Sequence, residues 1–198
     1  MGPIGLDLNK YPFTQIDISK KISFLFIGRL IREKGIFEFI KAAEIINKEF
    51  PKIKFIILGN SENKNNPGYL GINNFSSLLE KDYFIWKRNT NVVPWIKTCS
   101  IFVLPSYREG FPRSTQEAMA VGRAIITTNV PGCRETVIQN KNGLLIPPCD
   151  INSLANAMRY FIINHHQIEI MGKESYLIAE KHFSSEIFNN KIIKLILS

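Results

Sequence analysis

Short apolar runs rich in β-branched and aromatic residues alternate with longer stretches of helical period along this 198-residue chain. That alternation restricts the fold more than any other feature. Strands separated by helix-length segments form βαβ units, and successive βαβ units build parallel sheets. Strands are expected over residues 22–27, 53–58, 83–86, 101–104, 124–128 and 144–146. Most are apolar throughout rather than alternating, the pattern of strands covered on both faces. The first intervening helix is the clearest: Ile36, Phe39, Ile40, Ala43, Ile46 and Phe50 recur at steps of three and four, and Pro51 ends it. Further helices are expected over 95–99, 114–121 and 151–163, with one or two between 165 and 197. In the last of these, Phe188, Ile192, Leu195 and Ile196 make an apolar stripe. Residues 61–71 and 87–91 are polar and Asn-rich, hence loops. Residues 1–20 hold Gly-Pro and Tyr-Pro pairs but few periodic apolar positions, and read as a linker or tail ahead of one domain over 21–198. The expected fold class is α/β, a parallel sheet of about six strands with helices on both faces.

Composition excludes several alternatives. With 45% apolar and 21% charged residues, the chain is neither disordered nor of low complexity. A chain of this length buries about 70% of its unfolded surface, so neither disulfides nor a structural metal is required. No apolar run approaches the roughly 20 residues that span a bilayer, and Met1-Gly2-Pro3-Ile4-Gly5 lacks the basic start and apolar core of a signal peptide. Cys99, Cys133 and Cys149 are an odd set without CxxC spacing, which suits free thiols in a reducing cytosol. The net charge of +8 favours anionic partners, namely nucleic acid, phosphorylated ligands or anionic lipid headgroups. The basic residues are dispersed and no nucleic-acid-binding pattern is present, which argues against nucleic acid.

Two strand-to-helix turns concentrate the candidate chemistry. The first is Gly28-Arg29-Leu30-Ile31-Arg32-Glu33-Lys34-Gly35. A strand ending in Gly before a helix start leaves free backbone N–H groups and a positive dipole end facing a cleft. Arg29 and Lys34 bracket the turn and could reach one diphosphate, although from charge alone they are equally solvated loop residues. Neither GxGxxG nor a P-loop pattern occurs here. The second turn, residues 105–117, carries Glu109 in the loop and Glu117 one turn into the next helix. Both lie at the rim where α/β sheets bind ligands, beyond the carboxyl ends of the strands. Two structural roles compete: Ser114-x-x-Glu117 fits a capping box, and Glu109 fits an exposed loop acid beside Arg108 or Arg113.

Five motifs in order carry a resemblance. They are Gly28-Arg29-Leu30 with Lys34-Gly35, and Leu104-Pro105-Ser106 with Glu109-Gly110-Phe111-Pro112 and Glu117-Ala118-Met119-Ala120. Then come Gly122-Arg123-Ala124-Ile125-Ile126, Val130-Pro131-Gly132-Cys133-Arg134-Glu135, and Asn142-Gly143-Leu144-Leu145-Ile146-Pro147. Together they resemble the retaining glycosyltransferases of family 4, and Gly5-Leu6-Asp7 with Phe13 resembles the segment joining that family's two domains. The resemblance implies a GT-B enzyme of which this chain is the Rossmann-like C-terminal donor domain, its last helix packing toward the N-terminal one. By that resemblance Arg29 and Lys34 grip the donor diphosphate, Glu109 contacts the sugar, and Glu117 holds the ribose. Gly28, Gly110, Phe111 and Pro112 bring backbone close to the donor, so Arg29, Lys34 and Glu109 are the expected catalytic set. The nucleobase is expected around Ile85, Trp86, Lys87 and Arg88, where Trp86-Lys87 departs from the family's common Gly. The implied donor is a nucleotide-diphosphate sugar, UDP-linked, with no metal or other cofactor. A saccharide or lipid-linked acceptor would be held by an N-terminal domain, without which the chain is expected to be inactive. The location implied is cytoplasmic, with peripheral contact to the anionic inner face of the cell membrane open.

Other readings are weaker. A glycosidase would set two carboxyls roughly 5–9.5 Å apart across one bond with one pKa raised, and nothing near Glu109 or Glu117 suggests that. A non-catalytic nucleotide-sugar-binding module is the main alternative. His165-His166 with Glu169 reads as surface. Cys133 follows a Gly at an expected helix start, a position that lowers a thiol pKa.

Overall fold

The structure, a computed structural model, describes residues 5–17, 21–60, 80–187 and 189. Among these, six strands form one parallel sheet: β1 (Ser23–Ile27), β2 (Lys54–Leu58), β3 (Phe84–Lys87), β4 (Ile101–Leu104), β5 (Ala124–Thr128) and β6 (Gly143–Ile146). Their order is β3-β2-β1-β4-β5-β6. Each strand falls within a residue or two of its expected run, and Phe24 of β1 sits between Phe55 of β2 and Ile101 of β4.

The chain winds outward from β1 to β3, then returns to β4 on the other side of β1 and winds the opposite way. Right-handed crossovers run in opposite directions therefore place α1 (Ile36–Glu49) and α3 (Arg113–Ala120) on opposite faces. A short helix, α2 (Val93–Thr98), leads into β4, and α4 (Ile151–Ile163) and α5 (His166–Phe183) complete the two layers. Helix α1 packs against α4, while α3 packs against α5. The apolar face read from the sequence of α1 is the buried one, with Ile36, Phe39, Ile40, Ala43 and Ile46 fully covered. Phe24, Phe26, Phe39 and Phe55 form an aromatic cluster beneath it, with centroids 5.6–6.2 Å apart.

The segment expected as a tail contributes to the core. Residues 5–17 form a strap whose Leu6 and Tyr11 are buried. Leu6 N–H donates to Phe183 O at 2.7 Å, and Ser185 N–H donates to Leu6 O at 2.9 Å. Arg123, only 1% exposed, fastens the other end by donating to the carbonyls of Cys99, Val121 and Thr14. These carbonyls replace the water that Arg123 loses, while burial still draws its pKa down. Two proline-containing pairs hide this role from a pattern search, because the strap docks through single anchors rather than a periodic face. The expected stripe of Phe188, Ile192, Leu195 and Ile196 lies outside the described residues.

The thiols differ from one another. Cys99 is buried and its pKa is pushed up to about 12, chiefly by desolvation. Cys133 is not activated by a helix start. Only a single 3-10 turn, Arg134–Thr136, follows it, and burial pushes its thiol up. Cys149 is exposed. A thiol reagent should therefore label one cysteine rapidly in the native protein and all three once it unfolds. Rapid native labelling of Cys99 or Cys133 would contradict the packing described.

Candidate functional site

The point where strand order reverses, between β1 and β4, opens a crevice at the carboxyl ends of the strands, the usual ligand site of open α/β sheets. The two turns singled out in the sequence leave the sheet at this point. After β1 the chain passes Gly28 and Arg29, makes one 3-10 turn (Arg32–Lys34), and enters α1 through Gly35 in the left-handed region at φ 69°. After β4 it passes Pro105 and Ser106 and enters α3 from Pro112.

The turns are tied together. Tyr107 N–H donates to Glu33 O at 2.8 Å, and the Tyr107 hydroxyl donates to Glu38 Oε1 at 2.5 Å. A Cβ on Gly35 would lie 2.0 Å from Pro105 O, so only glycine lets the backbones meet. Thr127 and Thr128 of β5 donate to the carbonyls of Leu104 and Ser106, bracing the second turn from its other side. Gly132, at φ 86°, backs the same turn: a Cβ there would lie 2.3 Å from Glu109 O.

This scaffold brings four of the expected residues, Arg29, Lys34, Glu109 and Gly110, to one open cleft of about 530 Å³ lined also by Ile31, Glu33 and Arg108, while Phe111, Pro112 and Glu117 stand outside that lining. Glu109 is not the exposed acid that its loop position allowed. Its side chain is 10% exposed, pairs with Lys34 Nζ at 2.5 Å, and accepts from Ser106 Oγ at 2.8 Å. Neither Arg108 nor Arg113 is its partner among the described residues. Arg29 is exposed at the mouth and has no ion pair among the described residues, leaving its five donors free for an anion. Gly110 borders the cleft, with nothing within 4 Å of where a Cβ would stand. The Phe111 ring turns away to pack edge-on against Phe183 at 5.4 Å, which fixes the backbone between Gly110 and Pro112.

Glu117 is 8% exposed, and the capping box does not form. Pro112 rather than Ser114 occupies the N-cap, with no side-chain cap. Glu117 Oε1 instead accepts from Tyr11 of the strap at 2.7 Å and from Arg113 Nε at 3.0 Å. Burial raises the Tyr11 pKa and the Glu117 carboxylate adds to that, while Glu117 raises that of Arg113. Glu135 closes its own loop by accepting from Gly132 N–H at 2.5 Å.

A second hollow of about 220 Å³ adjoins the first through Arg29 and is lined by Gly28, Gly59, Asn60, Asn89, Thr90 and Val92 among others. Ile85, Trp86, Lys87 and Arg88 stand just before this hollow rather than on its wall. Trp86 donates Nε1–H to Gly59 O at 3.0 Å, with the Arg88 guanidinium 4.1 Å over its ring. Sequence reasoning passed over Ser106, Asn89, Thr90 and Tyr11. The first lies within a motif and was legible as a hydroxyl beside Glu109. The next two follow the expected strand by a few residues. Tyr11 gave no local signal, because its partner is distant in the chain. Among the described residues no cluster of His, Cys, Asp and Glu could hold a metal ion, and no helix is long and apolar enough to cross a membrane.

The crevice sets basic side chains beside a carboxylate that accepts from a hydroxyl, that of Ser106. The capsular polysaccharide biosynthesis glycosyltransferase CapM of Staphylococcus aureus is 29% identical over 171 residues, 82% of this chain and 42% of that protein. The UDP-Gal:alpha-D-GlcNAc-diphosphoundecaprenol alpha-1,3-galactosyltransferase of Escherichia coli is 32% identical over 168 residues, 79% of this chain and 43% of that one. The chain thus spans less than half the length of these relatives. Sucrose-phosphate synthase from Thermosynechococcus elongatus superposes with a TM-score of 0.84 at 25% identity, over 98% of this chain and 51% of that one. A family model described as "Glycosyl transferases group 1" matches residues 12–178, both turns and the end of the strap included, and the chain belongs to that family.

Proposed function

We propose that this domain binds a nucleotide-diphosphate sugar, UDP-linked, as the donor half of a retaining transferase. That enzyme moves a hexosyl or N-acetylhexosaminyl group in surface polysaccharide or lipid-linked oligosaccharide synthesis. The observation that carries this reading is the meeting of Arg29, Lys34 and Glu109 in one open cleft at the strand-order reversal. Arg29 and Lys34 neutralise the diphosphate, and the Lys34–Glu109 pair holds the carboxylate where a sugar hydroxyl can donate to it. The backbone at Gly110 and Phe111 approaches the sugar and phosphate, and Glu117 accepts from the ribose. The base fills the hollow at Asn60, Asn89 and Thr90. As the glycosidic bond breaks, negative charge grows on the departing nucleoside diphosphate, and Arg29, Lys34 and the first turn of α3 stabilise it. UDP is favoured because the Escherichia coli relative is named for a UDP-galactose donor. The acceptor, a saccharide or a lipid-linked one met at the membrane surface, belongs to a further domain.

Thermal denaturation of this chain with UDP, UDP-glucose, UDP-galactose and their N-acetyl forms tests the reading. Ligand at about 100 times its Kd should stabilise the fold by about 2.7 kcal/mol. Glu109→Gln should erase the advantage of UDP-sugar over UDP while leaving UDP binding intact. No stabilisation by millimolar UDP, GDP or ADP sugars would overturn the assignment.

A further inference from the structure

One side chain of the strap reaches Glu117, the residue read above as the ribose acceptor. Tyr11 is 9% exposed and Glu117 8%, and the hydroxyl of one donates to Oε1 of the other at 2.7 Å. Arg113 donates to the same oxygen. Oε1 therefore accepts two bonds, whereas Oε2 accepts none from the described residues. A carboxylate held by two donors on one oxygen cannot rotate without breaking both, so the direction of the other oxygen is set. Arg113 alone is a poor anchor for this purpose: its side chain is 65% exposed, whereas Tyr11 is packed in the core. The strap is clamped on either side of Tyr11, by Leu6 to Phe183 and by Thr14 to Val121. Phe183 in turn carries the Phe111 ring of the second turn.

We propose that Tyr11 is a positioning residue for nucleotide recognition, its hydroxyl orienting Glu117 so that Oε2 accepts from a ribose hydroxyl of the donor. This rests on the reading of Glu117 as the ribose acceptor given above. It makes residues 5–17 a working part of the donor site rather than a connector. A site built to accept from a hydroxyl discriminates against an analogue that lacks it, because the acceptor is then left unpaired. Tyr11 should thus govern ribose discrimination more than affinity in general.

The experiment titrates the wild-type chain, Tyr11→Phe, Glu117→Gln and the double variant with UDP, 2′-deoxy-UDP and 3′-deoxy-UDP by calorimetry. Tyr11→Phe keeps the ring and its packing, and a melting curve checks each fold. Wild-type protein should prefer UDP over at least one deoxy analogue by about tenfold, the worth of one hydrogen bond to a charged acceptor. In Tyr11→Phe that ratio should fall toward one, and the double variant should bind no more weakly than Glu117→Gln, as expected of two residues acting through one contact. Unchanged discrimination in Tyr11→Phe, or an equal loss for all three ligands, would overturn the positioning role while leaving the donor site standing. A wild-type chain that binds no UDP would overturn the donor reading and this inference with it.

Discussion

Replacing Gly35 with alanine should cost the domain about 3 kcal/mol or more, roughly a 10 °C fall in Tm for a chain of this size. The new Cβ would sit 2.0 Å from Pro105 O and 2.7 Å from Pro105 C, both backbone atoms that cannot swing aside. Its φ of 69° adds a further penalty for any residue with a side chain. Relief requires the two turns to separate, which strains the Tyr107–Glu33 hydrogen bond and the Lys34–Glu109 pair. Nucleotide protection should therefore vanish together with stability. Gly110→Ala is the matched stability control, since its Cβ meets nothing within 4 Å. Equal melting temperatures for the two variants would mean that the turns are not held together as described.

The second large effect is expected at Lys34. In Lys34→Met the diphosphate loses a cation, and Glu109, with its side chain 10% exposed, loses its charged partner. The uncompensated carboxylate then faces the incoming phosphates. A hydrogen bond to a charged group is worth about 1.5–3 kcal/mol, so affinity for UDP and UDP-sugars should fall about 10- to 100-fold. The paired variant Lys34→Met/Glu109→Gln should recover part of that loss, because the repulsion is gone although the cation is not restored. Calorimetry on the three proteins separates the contributions. Full affinity in Lys34→Met would remove Lys34 from the donor site.

The sheet was legible because burial on both faces forces strands to be apolar throughout, and helices of known period separate them. Two of the site's elements were legible for a related reason: each turn follows directly from a buried strand, so the position of Arg29, Lys34 and Glu109 at the rim follows from chain direction. What could not be read was pairing between distant residues. Glu109 has cations closer in sequence, Arg108 and Arg113, yet its partner is Lys34, because the strand order sets β1 beside β4. Trp86 illustrates a finer limit. A four-residue edge strand does not declare which face its aromatic takes, and here the indole braces the carbonyl of Gly59, on the hollow's wall, without lining the hollow itself. The core contacts of residues 5–17 could not be read for the opposite reason, since Leu6 and Tyr11 are isolated anchors without a periodic face.

The Leu6–Phe183 clasp also dictates a timetable. The Leu6 backbone bonds to Phe183 and Ser185, about 180 residues on, so during synthesis Leu6 must wait, apolar and uncovered, until α5 has left the ribosome. Contacts of such long sequence separation close late and slow the overall rate of folding. The sheet and the two turns can form before that, but Tyr11 reaches Glu117 only when the strap docks. A ribosome stalled before α5 would thus hold a nascent chain with its sheet in place and its Glu117 carboxylate not yet held by Tyr11.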